Sequence, residues 1–461
     1  MPVGELVHKR HRQHRLALIA VFLDRPLLTR DDMADTDDKQ GLIKTPISEL
    51  AVGMYVAKLD RPWLETSFEV QGFYARDRET IDRLGNECDH VYVDPRRFKR
   101  MDAAPRLRIV VSNDSPKEIR YDKPKKPAPP LRQIAPRKPQ SYADSIDTAD
   151  EATPAQTSID DAISIMQPIV EKVRVTGKLE IDQIEAAVNP LVSSVLRNKD
   201  AVAALLRIRS LDDYTYSHSI SNAVWAAVLG RHLGFKPTQI NQLALGCALL
   251  DVGKVTIPKE LLNKSGELSD AEWDTIHRHV DAGLAILEES SVTDRDVITM
   301  VGMHHERIDG SGYPKGLIGK AISAYGQIAG IIDTYDAMIT ERPYAPAMSS
   351  YDAVHTLHRY VGVLFQEDLV EHLTQAIGVF PTGTLVELNT GEVGVVTAQN
   401  PERRLRPKVN LILTEDKKPR TQPIVTDLHE MDVDIDKAPK VWIKRELAQG
   451  AFGIDAARYF A

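Results

Sequence analysis

The run His304-His305-Glu306-Arg307-Ile308-Asp309-Gly310-Ser311-Gly312-Tyr313-Pro314 constrains this chain more than any other stretch. Adjacent histidines bring two imidazoles within reach of one divalent ion, and the Asp-Gly-Ser-Gly turn behind them lets the backbone bend sharply. Alone, the pair does not distinguish metal ligands from histidines satisfied inside a core. Further donors change the reading. His218 follows Tyr214-Thr215-Tyr216-Ser217, Asp251 opens Asp251-Val252-Gly253-Lys254, His279 precedes Val280-Asp281, and Asp333 lies in Ile331-Ile332-Asp333-Thr334. Four imidazoles and two carboxylates suit a two-metal centre, in which an Asp bridges two ions and open positions remain for water and phosphate.

Such scattered ligands meet only if several helices project them inward. Ile159, Ala162, Ile163, Met166, Ile169, Val170 and Val173 recur at helical spacing, with Pro168 expected to kink the helix. The stripe reads as bundle core, with a homodimer seam as the alternative. Helical patterns continue through Ala223–Leu229 and Gln242–Leu245, and an all-α bundle over residues 156–379 follows.

On both sides the pattern differs. Over 42–102, Met54–Ala57, Phe68–Val70 and His90–Val93 read as strands, and Arg78–Leu84 reads as a helix: a small α+β domain, regulatory or simply docking. Residues 103–155 are rich in Pro and Lys, then acidic, and read as a flexible linker. Residues 380–461 alternate strands and Gly turns, as in Gly383–Leu388, Gly394–Thr397 and Val409–Leu413, and read as a β-rich, barrel-like subdomain and tail.

A length of 461 residues calls for two or three domains, and 27% charged residues for a folded, soluble chain. A net charge of −8 argues against bulk nucleic-acid binding. Cys88 and Cys247 fall in different domains and read as reduced thiols of a cytoplasmic protein. Residues 1–41 read as an unstructured extension, with Met33 as an alternative start. The eight apolar residues Leu16–Leu23 lack a cleavage site and fall short of the roughly 20 that a spanning helix needs.

From Tyr214–Ser219 through Asp251–Lys254, Ile257-Pro258, Leu262–Leu268, Ala271-Glu272-Trp273 and His304–Pro314 to Arg342-Pro343-Tyr344, the chain resembles an HD-GYP domain. That branch of the HD phosphohydrolases hydrolyses the bacterial messenger cyclic di-GMP. Leu50–Val56 with Arg61-Pro62-Trp63-Leu64 resembles an uncharacterised domain found ahead of some HD-GYP domains, and similar β-rich tails end other such proteins.

The resemblance implies a first ion held by His218, Asp251, Asp333 and a His at position 250, and a second held by Asp251, His279, His304 and His305. Position 250 is Leu250, which offers no donor, so the first site lacks one protein ligand. A third ion is not expected, because Tyr214 replaces the carboxylate that would hold it. Lys254 is expected at the scissile phosphate, with Asp251 as the catalytic bridge, and Arg342 is expected to grip a phosphate bidentately. Where the family often has a further basic residue, this chain has Ala345. Gly310, Gly312, Tyr313 and Pro314 shape the pocket wall, with no proton-transfer role for Tyr313.

The expected function is therefore a cyclic di-GMP phosphodiesterase, giving pGpG or GMP, weakened by Leu250. Its cofactors would be divalent transition metals, iron or manganese ahead of nickel or zinc, one held well and one weakly. The alternatives are a degenerate module that binds cyclic di-GMP or docks a GGDEF-domain diguanylate cyclase, and a hydrolase of another cyclic dinucleotide.

Overall fold

The structure, a computed structural model, describes residues 43–52, 54–61, 66, 68, 73–75, 78–98, 138–208, 214–264, 268–341, 347–400, 403–431 and 441–459. The extension 1–41, most of the expected linker, and Arg342 to Ala345 lie outside the described residues.

Short alternating segments build the N-terminal unit. Strands β1 (Ile43–Pro46), β2 (Met54–Leu59), β3 (Phe73–Tyr74) and β4 (His90–Phe98) form an antiparallel sheet in the order β1-β4-β2-β3. Helix α1 (Arg78–Glu87) adds Ile81 and Leu84 to a core with Val56, Leu59, Phe68 and Val91. Of the strand expected at Phe68–Val70, Phe68 is a buried coil residue and Glu69 and Val70 lie outside the described residues; the strand β3 that pairs with β2 is Phe73–Tyr74.

The helical unit starts earlier than its composition suggests. The chain joins it by residue 140, where the Gln140 amide donates to the Gly234 carbonyl. The Tyr142 hydroxyl donates to the Phe235 carbonyl at 2.6 Å, and Asp144 pairs with Arg231 at 2.8 Å. Helix α2 (Thr148–Thr176) then begins seven residues before residue 155, the expected end of the linker. That boundary is corrected: polarity there reflects specific partners, not solvation. α2 runs unbroken through Pro154 and Pro168. Its Ile159, Ala162, Met166, Ile169 and Val173 are buried in the main core.

Helices α3 (Ile181–Arg197), α4 (Ala201–Ile208) and α5 (Tyr214–His232) pack on α2, and α6 (Pro237–Ala248) packs on α3 and α5, with Trp225, Leu229 and Leu243 sealed inside. Next come α7 (Asp270–His277), α8 (His279–Glu289), α9 (Arg295–Met303) and α10 (Ala324–Ile339), then α11 (Ser350–Arg359) and α12 (Glu367–Ile377). Caps set where the ligand-bearing helices begin. Asp294 accepts from the Asp296 and Val297 amides at the start of α9, and Ser323 accepts from the Gly326 amide at the start of α10.

Five antiparallel strands close the chain: β5 (Leu385–Leu388), β6 (Val393–Ala398), β7 (Lys408–Leu413), β8 (Pro419–Asp427) and β9 (Ile443–Glu446), ordered β8-β7-β6-β5-β9. Their side chains divide by period two between two cores, Val386, Leu388 and Val409 in one and Leu385, Val393 and Val395 in the other. Glu446 ties this sheet to the bundle through Arg207 at 3.0 Å. The fold class is thus an all-α main unit flanked by a small α+β domain and a β-rich subdomain. No helix among the described residues is long and apolar enough to cross a membrane.

Candidate metal centre

Local backbone chemistry brings the donors together mostly at helix ends. Asp251 follows α6 and opens a 3-10 turn over Val252–Thr256, His279 is the first residue of α8, and His304 and His305 follow α9. His218 and Asp333 project from within α5 and α10. The turn after Asp251 presses closely on α8. A Cβ on Gly253 would lie 1.9 Å from the His279 carbonyl oxygen, so only glycine lets Asp251 and His279 share one space.

Two donor groups result. Asp251, His279, His304 and His305 offer one ligand atom each within 4.8 Å of one another, as do His218, Asp251 and Asp333. Asp251 belongs to both. His279 Nε2 lies 3.5 Å and His304 Nε2 3.9 Å from Asp251 Oδ1. On the other side, His218 Nε2 lies 3.6 Å from Asp251 Oδ2 and 2.8 Å from Asp333 Oδ1.

Outer contacts aim these rings. His279 Nδ1 donates to the Ile276 carbonyl at 2.8 Å and His304 Nδ1 to the Val301 carbonyl at 2.9 Å. Each leaves Nε2 facing its partner ligands, 3.3 Å apart. His218 Nδ1 is held by Asp336 Oδ2 at 2.6 Å, while Asp336 Oδ1 accepts from Trp225 Nε1 at 2.9 Å.

The electrostatics fit cation binding. Burial holds the His279 imidazole down to about 3 and keeps His304 and His305 below their ordinary value, so all three are neutral donors at pH 7. For His218 burial acts in the same sense, but bonds to Asp333 and Asp336 outweigh it and raise the ring to about 9. Burial would raise Asp251, yet the Lys254 charge and the surrounding imidazoles keep it well below the usual carboxylate range. Asp251 Oδ1 and Asp333 Oδ2 are buried and accept no hydrogen bond from the described residues. Orphaned carboxylate oxygens beside neutral imidazoles are costly unless a cation completes them, so the donor set fits divalent ions.

The remaining expected residues divide. Lys254 sits on the 3-10 turn and donates to Asp251 Oδ2 at 2.6 Å. Leu250 is wholly buried in the main core. Gly310, with positive φ, lies in the loop after the histidines. A Cβ on Gly312 would lie 2.3 Å from the His305 carbonyl oxygen, so this loop too can close only on glycine. Tyr313 stacks between His277 and His305, with ring centroids 3.9 and 4.5 Å away, and precedes Pro314. Arg342 and the side chain of Tyr214 lie outside the described residues.

Several contributors escape sequence reasoning. Asp336 aims His218; its spacing of three from Asp333 on one helix is the signal that points to it. Buried Glu306 accepts from the Lys315 and Leu317 amides at 2.8 and 2.7 Å, bracing the loop from inside. Arg307 donates to the His304 carbonyl at 2.8 Å. Asn222, one turn along α5 from His218, lies 3.2 Å from its Nε2.

Comparison with known proteins places these features. The HD domain family matches residues 200–369, the domain of unknown function DUF3391 matches 42–184, and the KOW domain associated with HD domain matches 385–449. The chain is 27% identical over 305 residues to the cyclic di-GMP phosphodiesterase PA4108 of Pseudomonas aeruginosa, covering 66% of this chain and 69% of that protein. It is 32% identical over 199 residues to the 3′3′-cGAMP-specific phosphodiesterase 1 of Vibrio cholerae, covering 41% and 46%. It is 35% identical over 123 residues to the cyclic di-GMP phosphodiesterase response regulator RpfG of Xanthomonas campestris, covering 26% and 32%. The chain thus spans less than half the length of the latter two.

Proposed function

We propose, from a chain whose residues 200–369 match the HD domain family, with a DUF3391 match at 42–184 and a KOW match at 385–449, that this protein is a metal-dependent phosphodiesterase acting on cyclic di-GMP. One observation carries the reading: a single buried carboxylate, Asp251, is shared by two donor groups. Its relatives named as phosphodiesterases of cyclic di-GMP support the substrate class.

Bound divalent ions would supply Lewis acidity toward a phosphate and a water of lowered pKa. Asp251 would bridge, His279, His304 and His305 would hold the second ion, and His218 and Asp333 the first. Asp336 fixes the His218 ring so that Nε2, not Nδ1, faces that space. Lys254 is only partly covered and keeps its ammonium at Asp251, where it adds positive charge beside an incoming phosphodiester. Arg342 is assigned a phosphate on the resemblance alone.

Leu250 favours a second reading, a module that binds cyclic di-GMP or docks a diguanylate cyclase without turnover. The 3′3′-cGAMP-specific relative makes that dinucleotide the second substrate to try. The test is hydrolysis of cyclic di-GMP and of 3′3′-cGAMP by the full chain with manganese or ferrous iron, with products followed by chromatography. Turnover abolished in Asp251→Ala supports the enzyme. Tight dinucleotide binding with both ions present and no product supports the module.

A further inference from the structure

Asn222 is a polar side chain beside the first donor group for which the reading above has no role. It is 1% exposed, and its Oδ1 finds no hydrogen-bond partner among the described residues. Its other amide atom stands 3.2 Å from His218 Nε2. That nitrogen also faces Asp333 Oδ1 at 2.8 Å. The two terminal atoms of an asparagine amide exchange places on a half turn, which presents the carbonyl oxygen to the space that His218 Nε2 faces.

We propose that Asn222 is a ligand of the first ion, through its side-chain carbonyl oxygen, taking the place that Leu250 leaves empty. The inference rests on the reading that His218, Asp251 and Asp333 hold that ion. Two donor atoms roughly 2.1 Å from one ion and at right angles to each other stand about 3.0 Å apart. The separations of His218 Nε2 from Asp333 Oδ1 and from the Asn222 amide, 2.8 and 3.2 Å, bracket that value. Placement on α5 explains the supply: His218 and Asn222 are four residues apart and share one helix face. A neutral oxygen in place of an imidazole makes the first site harder and weaker, which narrows the margin by which nickel or zinc outbinds manganese.

Manganese titration of the full chain at neutral pH, without substrate, tests this by stoichiometry and by the paramagnetic signal of coupled ions. The wild type should take up two ions and show coupling. Asn222→Ala should weaken the first ion at least about tenfold and leave an uncoupled single-ion signal. Asn222→Asp, nearly isosteric and one charge richer, should bind the first ion more tightly than the wild type. A residue that only packed against His218 would give the opposite, because a third buried carboxylate beside Asp251 and Asp333 would lower stability without raising affinity. Unchanged manganese affinity in Asn222→Ala, or equal losses in the Ala and Asp variants, would overturn the assignment. A wild type that binds one ion, lost in His304→Ala, also overturns it but leaves the second site standing. No manganese uptake at all would remove the metal-centre reading itself.

Discussion

Asp336 Oδ2 lies 2.6 Å from His218 Nδ1, so a carboxylate outside both donor groups decides which nitrogen of that ring faces the metal site. The same carboxylate binds the indole of Trp225 at 2.9 Å, which couples the site's geometry to the centre of the helical core. An Asp–His–metal relay of this kind makes the outer residue part of the ligand's affinity.

Asp336→Asn should therefore lower affinity for the first ion by about 10–100-fold while the second ion stays. Metal titration measures the loss, and the emission of Trp225 reports the changed partner. Equal weakening of both ions would mean that Asp336 supports the fold and not one site.

The second site, with its four donors, should hold its ion through purification. Elemental analysis should find closer to one ion per chain than two when no metal is added. His304→Ala should strip it, whereas His218→Ala should change the content little. Equal losses in the two variants would contradict the division of ligands.

Leu250→His tests the defect in the first site directly. The side chain is wholly buried, and a histidine of similar bulk should cost about 1–2 kcal/mol of stability if its ring reaches an ion. First-ion affinity and cyclic di-GMP turnover should both rise with manganese or ferrous iron supplied. Asp251→Ala should abolish turnover in both backgrounds. If a second ion is gained without turnover, the non-hydrolytic module is the better reading.

Glu151 predicts an acid-sensitive joint between α2 and α3. Burial would raise its carboxyl, but bonds from Arg197 at 2.6 and 2.8 Å and from Ser194 at 2.7 Å outweigh burial and hold it below its ordinary 4.5. Because the folded value lies below the unfolded one, the unfolded chain binds the proton first as pH drops. The contribution is present above pH 4.5 and is lost as pH falls through the folded value. Glu151→Gln should lower stability at pH 7 by about 2–4 kcal/mol, and the gap from wild type should narrow toward pH 4 in thermal denaturation. A gap independent of pH would mean that packing, not charge, makes the joint.

The ligand set, the helical periodicity of α2 and the change to period-two strands after residue 380 all follow from local pattern, because helix and strand faces impose their spacing on the sequence itself. Local composition misled at residues 140–155, where Tyr142 and Asp144 find partners near position 235 that no window along the chain contains. Residue type identified His218, Asp251, His279, His304, His305 and Asp333 as donors, since their chemistry is carried by the side chain alone. The family resemblance already implied two groups sharing Asp251, but only tertiary structure turned His218 by way of Asp336 and set Asn222 beside it. Those relations depend on how closely helices approach, as at Gly253 against His279, and such distances arise from packing between segments remote in the chain.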